Sequence, residues 1–597
     1  MENNWNEKGL TGYPSIDKPW LKYYSEEAIN APLPQCTVYE YMYQQNKDNL
    51  NQTALEYFGI KISFNKLFEK VELCAKALKI NGINKGSIIN ICSAVIPEIT
   101  YLVLACSKIG AVANFVNPLF ETQQKIDRIN DTKSDTIFVM DRMYSYINDV
   151  IPKTCLRKII IIPATNSLPW AIKTVADFKE KPDKNMKTLL KNGEYTFWNH
   201  YIKSADNYND FTQVQYKNDM PLIMVYSSGT TGASKGIVLT NKGINSTTLQ
   251  YEMTLPFNEK RGNRFLCNVP VWFSTGIVVS LLTPLCLGAT CILEPVFNSE
   301  TFLRDIIKYK PNYALVATSL WIYAANHLQK GFDISFLKHP ITGGEQLLSS
   351  TEVFLNEFLK SHNCNLDIQK GWGMCELGAT VATTSCCSKL NKLGSVGIPM
   401  PLTVINAFDV DSGKELKYNE RGELRVQTPC RMKEYYKNPA ATEDFFHTDE
   451  NGNIWGCTGD IGYVDGDGFV FVLGRASDFF SPDGKKHYLF DVENIILENE
   501  FVDLCEVVAI RSEKLDRDIS LAHIVLRKNF DGDIDTLIYN IDKQCRKKLS
   551  EYAVPKGYKI RETFATKPSG KRDTLSLKNE HEGFVCVING KVCKVTL

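Results

Sequence analysis

No charge excess of either sign marks this chain: its 597 residues carry 68 Lys+Arg against 68 Asp+Glu. A general nucleic-acid binder needs a basic surplus to displace counterions, so that class is set aside. Metal-ligand spacing is missing as well. The 18 cysteines include no CxxC pair, Cys386 and Cys387 are adjacent and cannot both serve one simple tetrahedral site, and the eight histidines are dispersed. A structural zinc site is therefore not expected, and the cysteines read as reduced, buried thiols. No unbroken apolar run is long enough to span a bilayer: Pro97, Glu98 and Lys108 interrupt residues 88–116, and Pro284 interrupts the short run 277–293. Residues 1–7 are polar and mixed in charge, so no signal peptide is expected. Internal repeats and low-complexity tracts are also lacking. With 44% hydrophobic and 23% charged residues over this length, the expectation is a cytoplasmic globular protein with several domains' worth of core.

What is present is an alternation of helix and strand patterns. Leu67, Val71, Ala75 and Leu78 fall at helical spacing within residues 62–80. A buried strand is expected at 87–94, a helix at 98–110 and a strand at 111–117, which implies parallel sheets covered on both faces. Residues 1–34 read as an extended lead-in that packs on the body. The lysine-rich segment 179–191 reads as a solvated surface. From 394 to 474 the texture changes to short strands and turns, with Asp465-Gly466-Asp467-Gly468 placed as a hairpin turn. Beyond Arg475 it changes again: a helix is expected at 492–500, strands at 506–510 and 521–527, and an amphipathic helix carrying Leu537, Ile541, Cys545 and Leu549 four apart. The expected boundary lies near 474–477, giving a large unit over 1–474 and a small α+β unit over 475–597 that ends in a short tail.

One stretch organises the rest: Tyr226-Ser227-Ser228-Gly229-Thr230-Thr231-Gly232-Ala233-Ser234-Lys235-Gly236. A buried strand at 221–225 delivers it. It holds three glycines, five aliphatic hydroxyls and one lysine. Glycines allow tight turns and close approach to a ligand, and successive backbone N–H groups make an anion-binding concavity. That composition suits a polyphosphate. It is not a Walker A loop, because Ser234 precedes Lys235 and Gly236 follows it.

Further stations follow in order. Gly343-Gly344-Glu345 follows Pro340-Ile341-Thr342, a strand ending in bare backbone. In Gly371-Trp372-Gly373-Met374-Cys375-Glu376 an aromatic between glycines can stack on a base, and a carboxylate four residues later can hold Mg²⁺, a hard cation that prefers oxygen. Gly422-Glu423-Leu424 and residues 432–442 (MKEYYKNPAAT) carry no assigned chemistry. Thr458-Gly459-Asp460 fixes a carboxylate after a glycine turn, with Gly474-Arg475 beyond it. Pro568-Ser569-Gly570-Lys571 sets a mobile point charge on a turn.

This series, from about Cys36 to Arg572, resembles the adenylate-forming superfamily of acyl-CoA synthetases, peptide-synthetase adenylation domains and luciferases. The resemblance implies a large α/β domain of two doubly wound subdomains plus a small β-rich, barrel-like subdomain, followed by a small mobile α+β domain. It also implies a nucleotide site made of Ser227, Ser228, Gly229, Thr230, Thr231, Gly232, Ser234, Lys235, Gly343, Gly344, Glu345, Gly371, Trp372, Gly373, Met374, Cys375, Asp460 and Arg475. The Gly343-Gly344 segment would lie against adenine. Glu376 would hold Mg²⁺, while Thr230, Lys235 and Lys571 act with it in catalysis. The expected activity is ATP-dependent conversion of a carboxylic acid to an acyl-adenylate with release of pyrophosphate, then transfer to a thiol, first of all coenzyme A. A stand-alone enzyme loading a separate phosphopantetheinyl carrier protein and a nucleotide-binding pseudoenzyme remain as alternatives. Ser477 falls at the hinge, and Gly484 beside the thiol tunnel with Glu493 closing that station.

Departures from the family pattern bear on this reading, among them Phe273 where many acyl- and aryl-CoA ligases have a histidine and Ser477 where the hinge is often aspartate or lysine. Cys375 replaces a threonine whose hydroxyl would donate to the α-phosphate, and a thiol donates weakly. Around Trp272, Phe273 and Gly276, the candidate acid pocket, no aspartate stands ready for an α-amine, so an α-amino acid is disfavoured against a fatty or aryl acid. Residues 479–490, which would face the site in the second half-reaction, diverge. The tail 573–597 is too short for a carrier module.

Overall fold

The computed structural model describes residues 10–169, 195–208, 213–227, 234–254, 261–384, 390–528, 530–565 and 573–595. Residues 1–7, the lysine-rich segment 179–191, Cys386, Cys387, most of the glycine loop (228–233) and Lys571 lie outside them. The chain divides into two compact units, residues 1–458 with 463–471, and residues 459–462 with 472–597.

Two large sheets build the first unit. One has eight strands in the order Glu434–Tyr435, Gly236–Thr240, Pro221–Tyr226, Val112–Phe115, Ile88–Cys92, Thr136–Met140, Lys158–Ile162, Tyr195–Phe197. Its pairings are parallel from Pro221–Tyr226 onward, while the first two strands run antiparallel. The other has nine: Ile398–Pro399, Ala382–Thr383, Gln369–Trp372, His339–Gly343, Tyr313–Val316, Arg264–Cys267, Thr290–Leu293, Thr53–Tyr57, Ile60–Ser63. Its centre is parallel and its edges antiparallel. Strands buried on both faces need near-continuous apolar runs, which Ile137–Met140 supplies; Val112–Phe115 is also buried throughout, and its one polar residue, Asn114, donates to Asn90 Oδ1 at 2.8 Å.

The helices start and stop where local chemistry dictates. Ser63 accepts from the Lys66 N–H and opens the helix Phe64–Ile80. Pro97 sits in the first turn of Pro97–Ile109, where its missing N–H costs nothing, and Gly110 ends that helix at φ +76°. This helix is buried along its whole length, packed between the strands Val112–Phe115 and Pro221–Tyr226 on one side and the helix Phe64–Ile80 on the other. The lead-in folds as short helical turns around Trp20, which is buried. Its backbone runs against the turn glycine Gly468 (φ +91°), where an added Cβ would stand 2.8 Å from Trp20 N.

A smaller sheet orders Val404–Phe408, Gly422–Gln427, Ile454–Val464 and Phe446–Thr448, with Val470–Arg475 beside Ile454–Val464. This is the β-rich part expected from the short-strand texture, and the Asp465–Gly468 turn lies between its last two strands.

The second unit is α+β. Five strands run in the order Val502–Ser512, Arg517–Leu526, Gly557–Arg561, Phe584–Ile588, Lys591–Val595. Helices Leu489–Leu497 and Ile534–Lys548 share with the sheet a core of Val492, Ile496, Ile524, Leu537, Ile541 and Cys545. The tail is not a loose end. It forms the helix Thr574–Lys578 and a hairpin that adds two strands to the sheet. His523, fully buried, accepts from Arg561 Nε at Nδ1 (2.9 Å), and Glu580 of the tail holds Arg561 and Lys559. Its Nε2 has no hydrogen-bond partner. Burial, with the Arg561 charge second, lowers the imidazole to about 4.

Candidate active site

The two glycine stations of the nine-stranded sheet come together. Strands His339–Gly343 and Gln369–Trp372 are parallel neighbours, and their register pairs Gly343 with Gly371. Both motifs therefore leave the sheet at the carboxyl ends of adjacent strands, where open α/β sheets bind ligands. The approach is close: a Cβ on Gly343 would lie 2.9 Å from Gly371 O. Gly344 continues at φ +82°. Glu345 turns back to accept from the Ser319 N–H (3.2 Å) and hydroxyl (3.4 Å), which fixes its loop. Next door, the Thr318 and Thr342 hydroxyls meet at 3.0 Å.

Past half-buried Trp372, glycine is required at Gly373, because a Cβ there would fall 1.9 Å from Ala379 O. That tight return carries Met374 and Cys375 into the short turn Cys375–Leu377 and buries Glu376. The Glu376 carboxylate accepts from the Tyr435 hydroxyl at 2.8 Å. Burial and the Glu376 charge push the Tyr435 phenol up, so it stays protonated and donates.

Tyr435 belongs to the other sheet. The edge strand Glu434–Tyr435 pairs with Gly236–Thr240, the strand leaving the glycine loop, with Tyr435 opposite Ile237. Lys235 Nζ lies 4.9 Å from the Tyr435 ring centroid, within cation–π range. One aromatic side chain thus touches the loop lysine on its face and the buried carboxylate at its hydroxyl. Residues 432–442 carry no local signal of this link in the sequence.

The glycine loop closes at its mouth. The Ser227 N–H donates to Lys235 O and the Lys235 N–H donates to Ser227 Oγ, both at 3.1 Å. These bonds continue the hairpin of Pro221–Tyr226 with Gly236–Thr240 by one step. Ser234 is buried, and Arg128, from the helix Thr122–Thr132, donates to its carbonyl and approaches its hydroxyl at 3.4 Å. Arg128 also pairs with Asp131 at 3.2 Å and lies 5.6 Å from the Tyr226 ring centroid. This second cation at the loop exit was also missed; an arginine on an amphipathic helix carries no signal of its own. Ser228, Gly229, Thr230, Thr231 and Gly232 fall outside the described residues.

The candidate acid pocket borders the same place. Trp272 is buried against Phe273 (ring centroids 6.3 Å), and its Nε1 has no hydrogen-bond partner. Ser274, fully buried, donates from Oγ to Cys375 Sγ at 3.0 Å. Thr275–Leu282 then forms a π-type helix, a local widening frequent at functional sites. Gly276 permits it, since a Cβ there would overlap Pro270 O at 2.1 Å.

The remaining stations lie in the second unit. Arg475 pairs with Asp460 at 3.0 Å, and Ala476 N–H donates to Gly459 O at 2.8 Å, with Gly459 at φ +68°. Ser477 Oγ donates to Asp478 at 3.3 Å. The divergent segment is a hairpin of Phe479–Phe480 with His487–Tyr488, Gly484 at its turn (φ +82°) and His487 bonded to Asp483 at 2.9 Å. Glu493 accepts from the Val507 N–H at 2.8 Å. Lys571 lies outside the described residues.

Among the described residues no group of three or more His, Cys, Asp or Glu could hold a metal ion. A lone buried carboxylate fits Mg²⁺ nonetheless, since that ion keeps waters and is commonly bound through one or two carboxylates plus substrate phosphates. No helix among the described residues is long and apolar enough to cross a membrane.

Comparisons agree with this architecture. The sequence profile of the AMP-binding enzymes matches residues 42–436, and that of their C-terminal domain matches residues 491–571. The chain is 24% identical over 556 residues to a long-chain-fatty-acid–CoA ligase of Bacillus subtilis, covering 93% of this chain and 96% of the relative. It is 24% identical over 590 residues to the acetyl-coenzyme A synthetase of Chlorobaculum tepidum, covering 96% and 86%. Among solved structures, the anthranilate CoA ligase AuaEII in complex with anthranoyl-AMP superposes with a TM-score of 0.74 at 21% identity, over 92% of this chain and 98% of that one.

Proposed function

The chain belongs to the family of AMP-binding enzymes, and from that premise we propose that it joins a carboxylic acid to coenzyme A in two half-reactions. In the first, a carboxylate oxygen attacks the α-phosphorus of ATP, the bond to the bridging oxygen breaks, and pyrophosphate leaves. In the second, a thiol attacks the acyl carbon, AMP leaves with its oxygen, and the thiol proton passes to solvent. The observation that carries this reading is the contact chain Lys235–Tyr435–Glu376, which joins the phosphate-loop lysine to a buried carboxylate.

The first step crowds negative charge around phosphorus, so positioning and fixed charges lower its barrier. Mg²⁺ held by Glu376 would offset phosphate charge. In this reading Lys235 and the loop hydroxyls hold the β- and γ-phosphates that leave, and Arg128 steadies the loop through Ser234. Trp372 stacks on the base beside Gly343 and Gly344. Asp460 accepts from the ribose hydroxyls, with Arg475 orienting it. Lys571 neutralises the attacking carboxylate. Rotation about Ser477, as a gating step between the half-reactions, then brings the Gly484 hairpin forward for the thiol.

The pocket around Trp272 and Phe273, backed by the buried apolar helix Thr275–Leu282, suits a fatty or aryl acid. A carrier protein is the second acceptor. It is favoured by the hairpin that presents exposed Phe479 with Lys486 Nζ 5.8 Å from its ring centroid, an apolar and cationic surface suited to an acidic partner.

The test is pyrophosphate exchange into ATP with a panel of acids. Exchange with a fatty or aryl acid is expected, followed by thioester formation on adding coenzyme A. Exchange followed by transfer only to a phosphopantetheinyl carrier would favour the second acceptor. ATP binding with no exchange for any acid would make the chain a nucleotide-binding pseudoenzyme.

A further inference from the structure

Beyond the region matched by the C-terminal profile, the tail hairpin carries two cysteines on opposite strands. Phe584–Ile588 and Lys591–Val595 are antiparallel, and their register sets Cys586 directly opposite Cys593. The register is pinned at the tip. Asn589 and Gly590 form a two-residue turn with φ +50° and +77°, the left-handed pair that a type I′ hairpin turn requires.

Direct partners point to the same face of a ladder. Here Val585, Val587 and Val592 occupy the face packed on the Ile534–Lys548 helix side of the core, so Cys586 and Cys593 share the other. Counting from the turn, Ile588–Lys591 is the first hydrogen-bonded pair and Cys586–Cys593 the second. Such pairs hold their Cα atoms about 5.5 Å apart, inside the Cα range a disulfide spans, and their Cβ atoms at a similar distance, which closure draws in by about 1 Å. Among the described cysteines Cys593 is the only exposed one, and Cys586 is half-buried, whereas most of the others are buried. Burial, then the neighbouring Cys593, pushes the Cys586 thiol up, and the Cys593 thiol donates to the Lys591 carbonyl at 3.7 Å.

We propose that Cys586 and Cys593 are a thiol-oxidation site that closes to an intrachain disulfide when a two-electron oxidant such as hydrogen peroxide reaches the hairpin. The exposed Cys593 gives its proton to solvent and its thiolate attacks one peroxide oxygen. The O–O bond breaks, a sulfenic acid forms, and the departing hydroxide takes up a proton as water. Cys586 then attacks the sulfenic sulfur, the S–O bond breaks, and hydroxide leaves with the Cys586 proton as a second water. Two thiols lose two protons and two electrons, and the peroxide becomes two waters. Closure ties together the two strands added beyond the profile match. It also fixes the hairpin tip, which with Tyr539, Asp542 and Arg546 lines an open surface groove of ≈ 470 Å³.

The test uses the full chain, treated with hydrogen peroxide, blocked with N-ethylmaleimide and mapped by mass spectrometry. The fragment holding both cysteines should be two hydrogens lighter and unlabelled, and dithiothreitol should restore both labels. Cys586→Ser and Cys593→Ser should each abolish the mass change. Amide exchange over residues 587–592 should slow on the order of tenfold on oxidation and reverse with dithiothreitol. Equal labelling of both cysteines with and without peroxide would overturn the proposal, as would oxidation that yields only interchain dimers or leaves exchange in the hairpin unchanged.

Discussion

Removing one oxygen atom, in Tyr435→Phe, tests whether the two sheets cooperate at a single site. The phenol donates at 2.8 Å to a carboxylate that is only 5% exposed. A hydrogen bond to a charged, desolvated acceptor is worth roughly 1.5–3 kcal/mol. The phenylalanine ring keeps its packing and its contact with Lys235, so the loss falls on Glu376. Two consequences follow. Without its donor the Glu376 carboxylate loses stability relative to its acid form, so the acid limb of the activity profile should move to higher pH. And if Glu376 must be held charged and oriented for adenylation, pyrophosphate exchange should slow by about 10- to 150-fold, with more Mg²⁺ needed for half-maximal rate. Thioester formation from supplied acyl-adenylate should change far less. The assay is exchange measured across Mg²⁺ concentration and pH for wild type, Tyr435→Phe, Glu376→Gln and the double variant. Because the two residues act as one unit, the double variant should be little worse than Glu376→Gln alone. A Tyr435→Phe enzyme within twofold of wild type throughout, or losses that simply add in the double variant, would refute the reasoning.

Three further outcomes are expected. Ser274→Ala, which strips the donor to Cys375 Sγ, should slow exchange by less than about tenfold, the worth of one ordinary hydrogen bond; Cys375→Thr, which returns a strong donor, should raise kcat in the same assay, and a Cys375→Thr rate below wild type would mean the thiol has been accommodated by its surroundings. Lys571→Ala should abolish exchange while sparing thioester formation from supplied acyl-adenylate, and equal loss of both steps would contradict a lysine that serves only the first. His523, held at about 4 when folded against about 6.5 unfolded, binds its proton only in the unfolded chain between those values. Its contribution is therefore intact above pH 6.5 and is lost as pH falls toward 4, by about 1–3 kcal/mol after allowance for solvent screening; urea unfolding at pH 7 and 4.5 should show this loss in wild type and not in His523→Phe, and parallel curves for the two would sink the assignment.

The parts of the fold that were legible depend on neighbours in sequence. Pro97 and Gly110 bracket their helix because one lacks an N–H and the other tolerates φ > 0, and Asp465–Gly468 marks its turn for the same kind of reason. The tail was legible too, though it was read only as a tail: Asn589-Gly590 between Phe584–Ile588 and Lys591–Val595 is the strongest short-range hairpin signal there is. The motif residues themselves, from Ser227 to Arg475, stand out because glycines and charged or hydroxyl groups fall together there in short runs of sequence.

The contacts that join those motifs were not legible, and the reason is geometric. Tyr435 meets Glu376 across 59 residues, Ser274 meets Cys375 across 101, and Arg128 meets Ser234 across 106. None of the outlying partners carries an unusual local pattern: a tyrosine on an edge strand, a serine before a helix, an arginine on an amphipathic face. What selects Tyr435 is the register of a two-residue strand, Tyr435 opposite Ile237 and Glu434 opposite Val238. A slip of one residue would turn the hydroxyl to the other face and set Glu434 or Tyr436 toward Glu376 instead. A second carboxylate there would repel the first. The backbone bonds Lys433 N–H to Val238 O (2.8 Å) and Tyr436 N–H to Gly236 O (2.7 Å) hold that register from both sides. The strand leaving the glycine loop therefore does more than end a phosphate cradle: through two main-chain bonds it decides which side chain reaches the carboxylate of the other sheet.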